Sequence, residues 1–569
     1  MSETVATATT ATAATPVRSK ALRAAASVLV LRDGPAGMEV LMMRRPQRDD
    51  DRSAGAFVFP GGTLDEQDAA LHPLCDGLDD AAASARLNVD RNGLDYYLCA
   101  AREAFEEAGL LFARDANGQN VDLDTLDADT YGSLREAAGY GGAGIAQVCE
   151  RLGVRLAVDL LAYGSHWLTP PGLPKRFDTR FFFALAPAGQ TARHDGVEAV
   201  EHRWMRPVDA LDPANQISLV NVTRRMLQSI SHFQTAQACF DHARQLRNIV
   251  QIMPRLATGP KGVRPVMPEE APYAEIARID PDGAGHGRYA LAPGAAVKLS
   301  ERVWRVTADN GNVMTGPGTN TYFVGGGADN TWAMIDPGPA DPAHITAVLA
   351  AAPGPVKWIL VTHTHLDHSP ASVAVREATG APVWGRVTAV QDRQDQTFAP
   401  DRMPEHGERI VLGPHATLRV VHTPGHASNH LCYLLEEEKT LFTGDHVMQG
   451  SSVVINPPDG DMRAYLASLQ ALLDEDLEWI APGHGFLMPR PRDAIRLLIR
   501  HRQQREAKVL NALRALAPAD IGTLLASVYD DVPERMHPVA QRSLLAHLRK
   551  LEEDGVARET EAVWHLISA

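Results

Sequence analysis

Val361–Pro370 reads VTHTHLDHSP and follows directly on the apolar run VKWIL. It places His363, His365, Asp367 and His368 in close succession. In an extended segment alternate residues point the same way, so His363 and His365 can bind one metal ion from a strand end. The turn that follows can direct Asp367 and His368 at a second ion. A turn that is merely histidine-rich would explain two histidines, but not this ordered set of imidazole and carboxylate donors.

Three further pieces carry the same signature: TPGHASNH with His426, FTGDH with Asp445 and APGHG with His484. Each donor comes just after an apolar, strand-like run and beside a Gly that permits a tight turn, so several strand ends can converge on one cleft. Around them, runs such as NTYFVGG, TWAMID and KTLFTGDH alternate with helical stretches such as ITAVLAAA and MRAYLASLQALLD, an α/β pattern. His430 and His446 stand next to these motifs. His430 could support a ligand or donate a proton, or be hydrogen-bonded in the wall of the site. His415 and His422 are assigned no chemistry.

Taken together, these residues resemble the metallo-β-lactamase superfamily from about residue 296 to 490, which implies an αββα sandwich with a metal centre at one edge. The resemblance assigns His363, His365 and His426 to one metal and Asp367, His368 and His484 to the other, with Asp445 bridging and Asp367 also catalytic. A donor set without thiolate suits two Zn²⁺, and Mn²⁺ or Fe would tolerate it. Water shared by two such ions has its pKa lowered to roughly 7, so the implied reaction is hydrolysis. Lactamases of the superfamily carry Cys where Asp445 stands, and Cys432 lies outside every motif. The larger RNA-processing nucleases would need an inserted domain within 446–483. Two branches remain. One comprises thioester hydrolases similar to glyoxalase II; the other resembles β-lactamase-like protein 2, an endoribonuclease for single strands. GPGTNTYFVG (Gly316–Gly325), TPGHASNH and a closing winged-helix-like unit, with ARETEAVWHLI as its wing, look like the second.

Near the other end, AAREAFEEAGLLF puts Glu103, Glu106 and Glu107 on one face of a helix. A solvated acidic face is the ordinary explanation of such a cluster. Here, however, AFVFPGG precedes it and Arg102 adjoins it. FPGG with REAFEEAGL resembles the Nudix box, which implies Mg²⁺- or Mn²⁺-dependent hydrolysis of nucleoside diphosphate derivatives. Glu103 would be ligand or base, Glu106 and Glu107 ligands, and Arg102 would orient a carboxylate. Gly62 and Arg102 stand much farther apart than in the usual box. The insert, with the arginine-containing strand before FPGG, is similar to the CoA diphosphatase branch. Glu66 and Asp68 compete for the box's first carboxylate.

The 569 residues allow three or four domains. With 45% hydrophobic and 22% charged residues, a disordered or fibrous chain is excluded. A net charge of −15 argues against a polyanion-binding surface spread over the molecule. Five separated Cys without a CxxC pair argue against disulfides and for a cytoplasmic setting. No apolar run approaches the roughly 20 residues of a membrane span. The expected architecture is multidomain α/β: a tail at 1–20, a Nudix-like α/β/α sandwich with an insertion at 21–253, a Pro/Gly-rich linker at 254–295, the metallo-β-lactamase αββα sandwich at 296–490, and a small helical, winged-helix-like unit at 491–569. The expected activity is that of a two-centre hydrolase on a small molecule such as a CoA thioester or a nucleoside diphosphate derivative. The alternatives are endonucleolytic cleavage of single-stranded RNA and a Nudix-like module that senses a ligand without catalysis. Oligomeric state is left open.

Overall fold

The computed structural model describes residues 21–47, 54–326, 330–390, 392–450 and 453–567, so the expected tail lies outside the described residues. The chain divides into two compact units, Met1–Pro254 and Arg255–Ala569.

In the first unit the two opening apolar runs pair as an antiparallel hairpin, Arg23–Gly34 with Gly37–Arg44. Arg23–Gly34 runs parallel to Phe177–Leu185 at the centre of the sheet. Ala26, Val28 and Val30 point into a core with Tyr97, Leu98, Ala101 and Phe105 of the helix Gly93–Ala108. The alternate residues Leu29 and Leu31 are buried as well. Burial on both faces is why this strand reads as a continuous apolar run rather than an alternating one. The helical pattern from Leu219 to Ile252 resolves into two helices, Asn221–Ile230 and Ala236–Gln245. The break falls where the Thr235 hydroxyl accepts from the Ala238 N–H and starts the second helix.

The stretch 254–295, expected as a linker, is structured. Arg255–Gly259 pairs with Gly262–Val266, and a helix follows at Tyr273–Ile279. That helix buries Glu275, which takes both Nη1 and Nη2 of the equally buried Arg305 at 2.7 and 2.8 Å and accepts from the Leu487 N–H at 2.8 Å. A carboxylate is tolerated in such surroundings only when paired, so the segment is part of the second unit's core. Its Pro and Gly residues mark turns, not a flexible connector.

The rest of that unit is built on two six-stranded sheets. One runs Ala296–Lys298, Val303–Thr307, Asn320–Gly325, Trp332–Ile335, Val356–Leu360, Val383–Trp384; the other runs Arg409–Gly413, Ala416–His422, Leu431–Leu435, Thr440–Gly444, Trp479–Pro482, Met488–Pro489. Tyr322, Val324, Ala333 and Ile335 of the first meet Leu418, Val420, Tyr433 and Phe442 of the second between the sheets. The alternate residues Phe323, Trp332 and Met334 pack outward in a cluster with Val348 and Val375 of two flanking helices.

The helix Pro491–Leu516 serves two cores. Ile495 packs with Leu469 and Leu472 against the sandwich, and Val509, Ala512 and Leu513 pack with Leu524, Leu544 and Trp564 of the closing unit. The closing unit carries the helices Ile521–Val528 and His537–Glu553. Its wing is the hairpin Ala557–Thr560 with Val563–Leu566, extended by Ala519–Asp520. No helix among the described residues is long and apolar enough to cross a membrane.

Candidate functional site

The side chains of the second unit converge because their strands end at one edge. Trp332–Ile335 is parallel to Val356–Leu360, and Thr440–Gly444 is parallel to Trp479–Pro482, so the residues that follow each strand emerge together. Gly425, which places His426, has φ +143°, and a Cβ there would meet the Tyr465 backbone at 2.3 Å. Only glycine fits this approach.

Two groups result: His363, His365, His426 and Asp445, and Asp367, His368 and His484. Four of the five rings are anchored through Nδ1. His368 donates to Asp336 Oδ2 (2.8 Å), His426 to the Val454 carbonyl (2.7 Å) and His484 to the Gly318 carbonyl (3.1 Å). His363 Nδ1 lies 3.0 Å from the hydroxyl of Thr362, which itself donates to Asp336 at 2.8 Å. Each of these rings therefore turns Nε2 inward, whereas His365 presents Nδ1, 2.9 Å from His363 Nε2 and 3.0 Å from His426 Nε2. Three ring nitrogens with converging lone pairs are poorly served by one another and well served by a cation.

Asp445 stands between the groups. Its Oδ1 lies 3.1 Å from His484 Nε2 and 3.4 Å from His368 Nε2, and its Oδ2 lies 3.6 Å from His426 Nε2. Asp367 Oδ2 is 3.4 Å from both His368 and His484 and accepts from Thr319 Oγ1 at 3.0 Å. His368 Nε2 and Asp445 Oδ1 are buried without a hydrogen-bond partner among the described residues. Burial alone would lower His368 and His484, but the carboxylates of Asp367 and Asp445 reverse this, raising His368 well above the imidazole range and His484 to about 9. Positive charge is thus favoured at this spot. His363 and His365 go the other way: burial and the neighbouring rings push His365 down to about 4, keeping both neutral as metal ligands must be.

Asp336, just after TWAMI, was not singled out by sequence reasoning. It is buried at φ +51° and holds both Thr362 and His368. Its only signal was an Asp before Pro-Gly at the end of an apolar run. Asp336→Asn is expected to keep the fold and weaken metal binding by about 10–100-fold. Chelator competition measures this, and unchanged affinity would contradict it. His430 and His446 are buried behind the cluster. His430 stacks 5.0 Å from His363, and neither ring lines the cavity over the site. Cys432 is buried in its strand, its thiol pushed up to about 12 by burial.

That cavity, of about 630 Å³, opens onto His365, Asp367, His426, Asp445 and His484. Val532, Met536, Val539 and Ala540 of the closing unit form one apolar wall.

In the first unit the helix Gly93–Ala108 presents its acidic residues beside the short strand Gly61–Thr63, which pairs antiparallel with Arg23–Gly34. Arg102 is the hub. It donates from Nε to Asp68 (3.0 Å), from Nη1 to Glu103 and Glu106 (2.9 Å each) and from Nη2 to the Thr63 carbonyl (3.0 Å). Asp68 is fully buried whereas Glu66 is exposed, so the carboxylate paired with the arginine is Asp68. Glu107 accepts from the Gly61 N–H at 3.1 Å. A Cβ on Gly62 would lie 2.1 Å from Glu103 Oε1. Burial raises all three glutamates, Glu106 to about 7 and Glu107 well above the usual carboxylate range, with the Glu103 charge adding to both. Glu106 Oε1 is buried without a hydrogen-bond partner among the described residues. Crowded, partly unpaired carboxylates of this kind fit a hard divalent cation.

Comparison with known proteins gives three family matches: the metallo-beta-lactamase superfamily at residues 314–484, the beta-lactamase associated winged helix domain at 521–564, and the NUDT19 Nudix domain at 79–219. A beta-lactamase-like protein 2 homolog of Drosophila melanogaster is 33% identical over 289 residues, covering 48% of this chain and 95% of the relative. An atrochrysone carboxyl ACP thioesterase of Aspergillus chevalieri is 30% identical over 269 residues, 44% of this chain and 81% of the relative. Among solved structures, a metallo-beta-lactamase family protein from Thermus thermophilus is 22% identical with a TM-score of 0.40, covering 48% of this chain and all of its own.

Proposed function

The chain belongs to the metallo-β-lactamase superfamily through its C-terminal half and carries a Nudix domain in its N-terminal half, and from that premise we propose that this hydrolase works at two centres, a dinuclear thioesterase and a Mg²⁺- or Mn²⁺-dependent diphosphatase. The observation that carries the first centre is Asp445, whose two oxygens face different histidine groups. His363, His365 and His426 would hold one ion, Asp367, His368 and His484 the other, with Asp445 shared. Zn²⁺ suits these donors best. Bound there, the ions would supply Lewis acidity and a water acidic enough to act near neutral pH.

The chain's own residues supply the rest. Asp336, Val454 and Gly318 lock the rings so that the donors need little rearrangement. Asp367, held by Thr319 at the cavity's edge, orients a proton-bearing reactant. Val532, Met536 and Val539 exclude water and offer an acyl chain a place to bury itself. The name of the fungal relative supports a thioester as the bond attacked. In the diphosphatase, Glu103, Glu106 and Glu107 would hold the cation while Arg102 fixes Glu103 and Glu106.

A panel of acyl-CoA and acyl carrier protein thioesters, assayed on the full chain, tests both centres. Free thiol should appear with wild type. Adenosine 3′,5′-bisphosphate should appear from CoA derivatives with Mg²⁺ and be lost in Glu106→Gln, with thiol release unchanged. Inertness towards every thioester together with cleavage of single-stranded RNA would replace this reading with the nuclease one. Nucleotide binding without turnover at the glutamate site would make the Nudix domain a sensor.

A further inference from the structure

The first unit contains a second cavity, of about 1060 Å³, between the helix Asp80–Leu87, the strands Ala162–Leu168 and Phe177–Leu185, and the C-terminal end of the helix Ala236–Gln245. No residue of the Arg102 and glutamate cluster lines it. Four arginines do, Arg86, Arg180, Arg244 and Arg247, against the single carboxylate of Asp178. In a chain with 70 acidic and 55 basic residues this is a local inversion of charge.

The floor is built, not incidental. Arg180 is 4% exposed, contacts Asp178 and His166 through Nη1, and keeps a buried Nε with no hydrogen-bond partner among the described residues. His166 Nε2 lies 2.6 Å from Asp178 Oδ1. Burial would raise the Asp178 carboxyl, but His166 and Arg180 hold it below the usual carboxylate range, so its charge is committed to the floor. Nothing is left over for the rim. There Arg86, Arg244 and Arg247 are exposed and form no ion pair among the described residues; Arg247 donates only to the carbonyls of Arg244 and Leu246. Leu78, Leu87, Leu246 and Ile249 give the cavity an apolar side.

Guanidinium groups without carboxylate partners are forks for phosphate oxygens, and an apolar wall beside them accepts a flat ring. We propose that this cavity binds a nucleoside phosphate, with its phosphates on Arg244 and Arg247 and its base against Leu246 and Ile249. The site is separate from the glutamates and needs no divalent cation.

Isothermal titration of the full chain with ADP in EDTA tests this. Wild type and Glu106→Gln should bind alike. Arg244→Ala with Arg247→Ala should weaken binding at least about tenfold, and Arg86→Ala to a smaller degree. These rim side chains are exposed, so the melting curve of each variant should match wild type. Failure of wild type to bind ADP in EDTA, equal affinity in the double variant, or loss of binding in Glu106→Gln would each overturn the proposal.

Discussion

Asp445→Asn is expected to lower thioester hydrolysis by about a thousandfold, or ~4 kcal/mol of transition-state stabilisation, while leaving the melting temperature of the metal-free protein within a few degrees. The amide keeps the shape of the side chain, but it removes the one charge that faces both histidine groups. Burial would raise this carboxyl, yet His484 and His368 hold it well below the usual range, so it is ionised and indispensable to charge balance. His368 Nε2 already lacks a hydrogen-bond partner among the described residues. Without the Asp445 charge, two cations would sit close together with only Asp367 as an anionic donor. Retention of more than a tenth of wild-type activity would contradict the assignment. The diphosphatase reaction, measured on the same preparation, should be unaffected.

Glu275→Ala should destabilise the second unit by about 3–5 kcal/mol, measured by chemical denaturation. The substitution leaves the Arg305 guanidinium, 1% exposed, without its carboxylate, and takes the acceptor from the Leu487 N–H. Cavity formation is the smaller part of the cost, because the unpaired charge dominates. The double variant Glu275→Leu with Arg305→Met should therefore recover most of the loss, since a well-packed apolar pair often replaces a buried ion pair at little cost. A single variant within about 1 kcal/mol of wild type, or a double variant worse than the single, would show that the pair is not what anchors this helix. A practical consequence concerns where the chain can be divided: a cut near residue 275 would sever a core element, whereas the division between units falls at Pro254 and Arg255.

The sequence announced most of the second unit's site because its donors share one grammar, an apolar run followed by His or Asp beside Gly. Parallel neighbouring strands turn that grammar into geometry, bringing together His363, His365, Asp367, His368, His426, Asp445 and His484. Asp336 obeys the same rule, but a lone Asp before Pro-Gly looks like any turn residue, and only its contacts to Thr362 and His368 distinguish it. Glu275 was hidden for a different reason. Its surroundings are rich in Pro and Gly, which locally resemble a connector, and its burial depends on a partner in a distant strand. In the first unit, Glu66 and Asp68 were equivalent on the page. The short helical turn Asp68–Leu74 separates them by directing Asp68 inward to Arg102. The arginine-rimmed cavity draws on three regions far apart in the chain, 78–88, 162–180 and 243–251, so no local motif could reveal it.

The most direct test of the central claim is anomalous diffraction from crystals of the full chain at the absorption edge of whichever transition metal it retains. Two peaks are expected within the second unit, one among His363, His365 and His426 and one among Asp367, His368 and His484, with Asp445 touching both. A single peak, or an Asp445 that contacts only one of the two, would contradict a shared dinuclear centre.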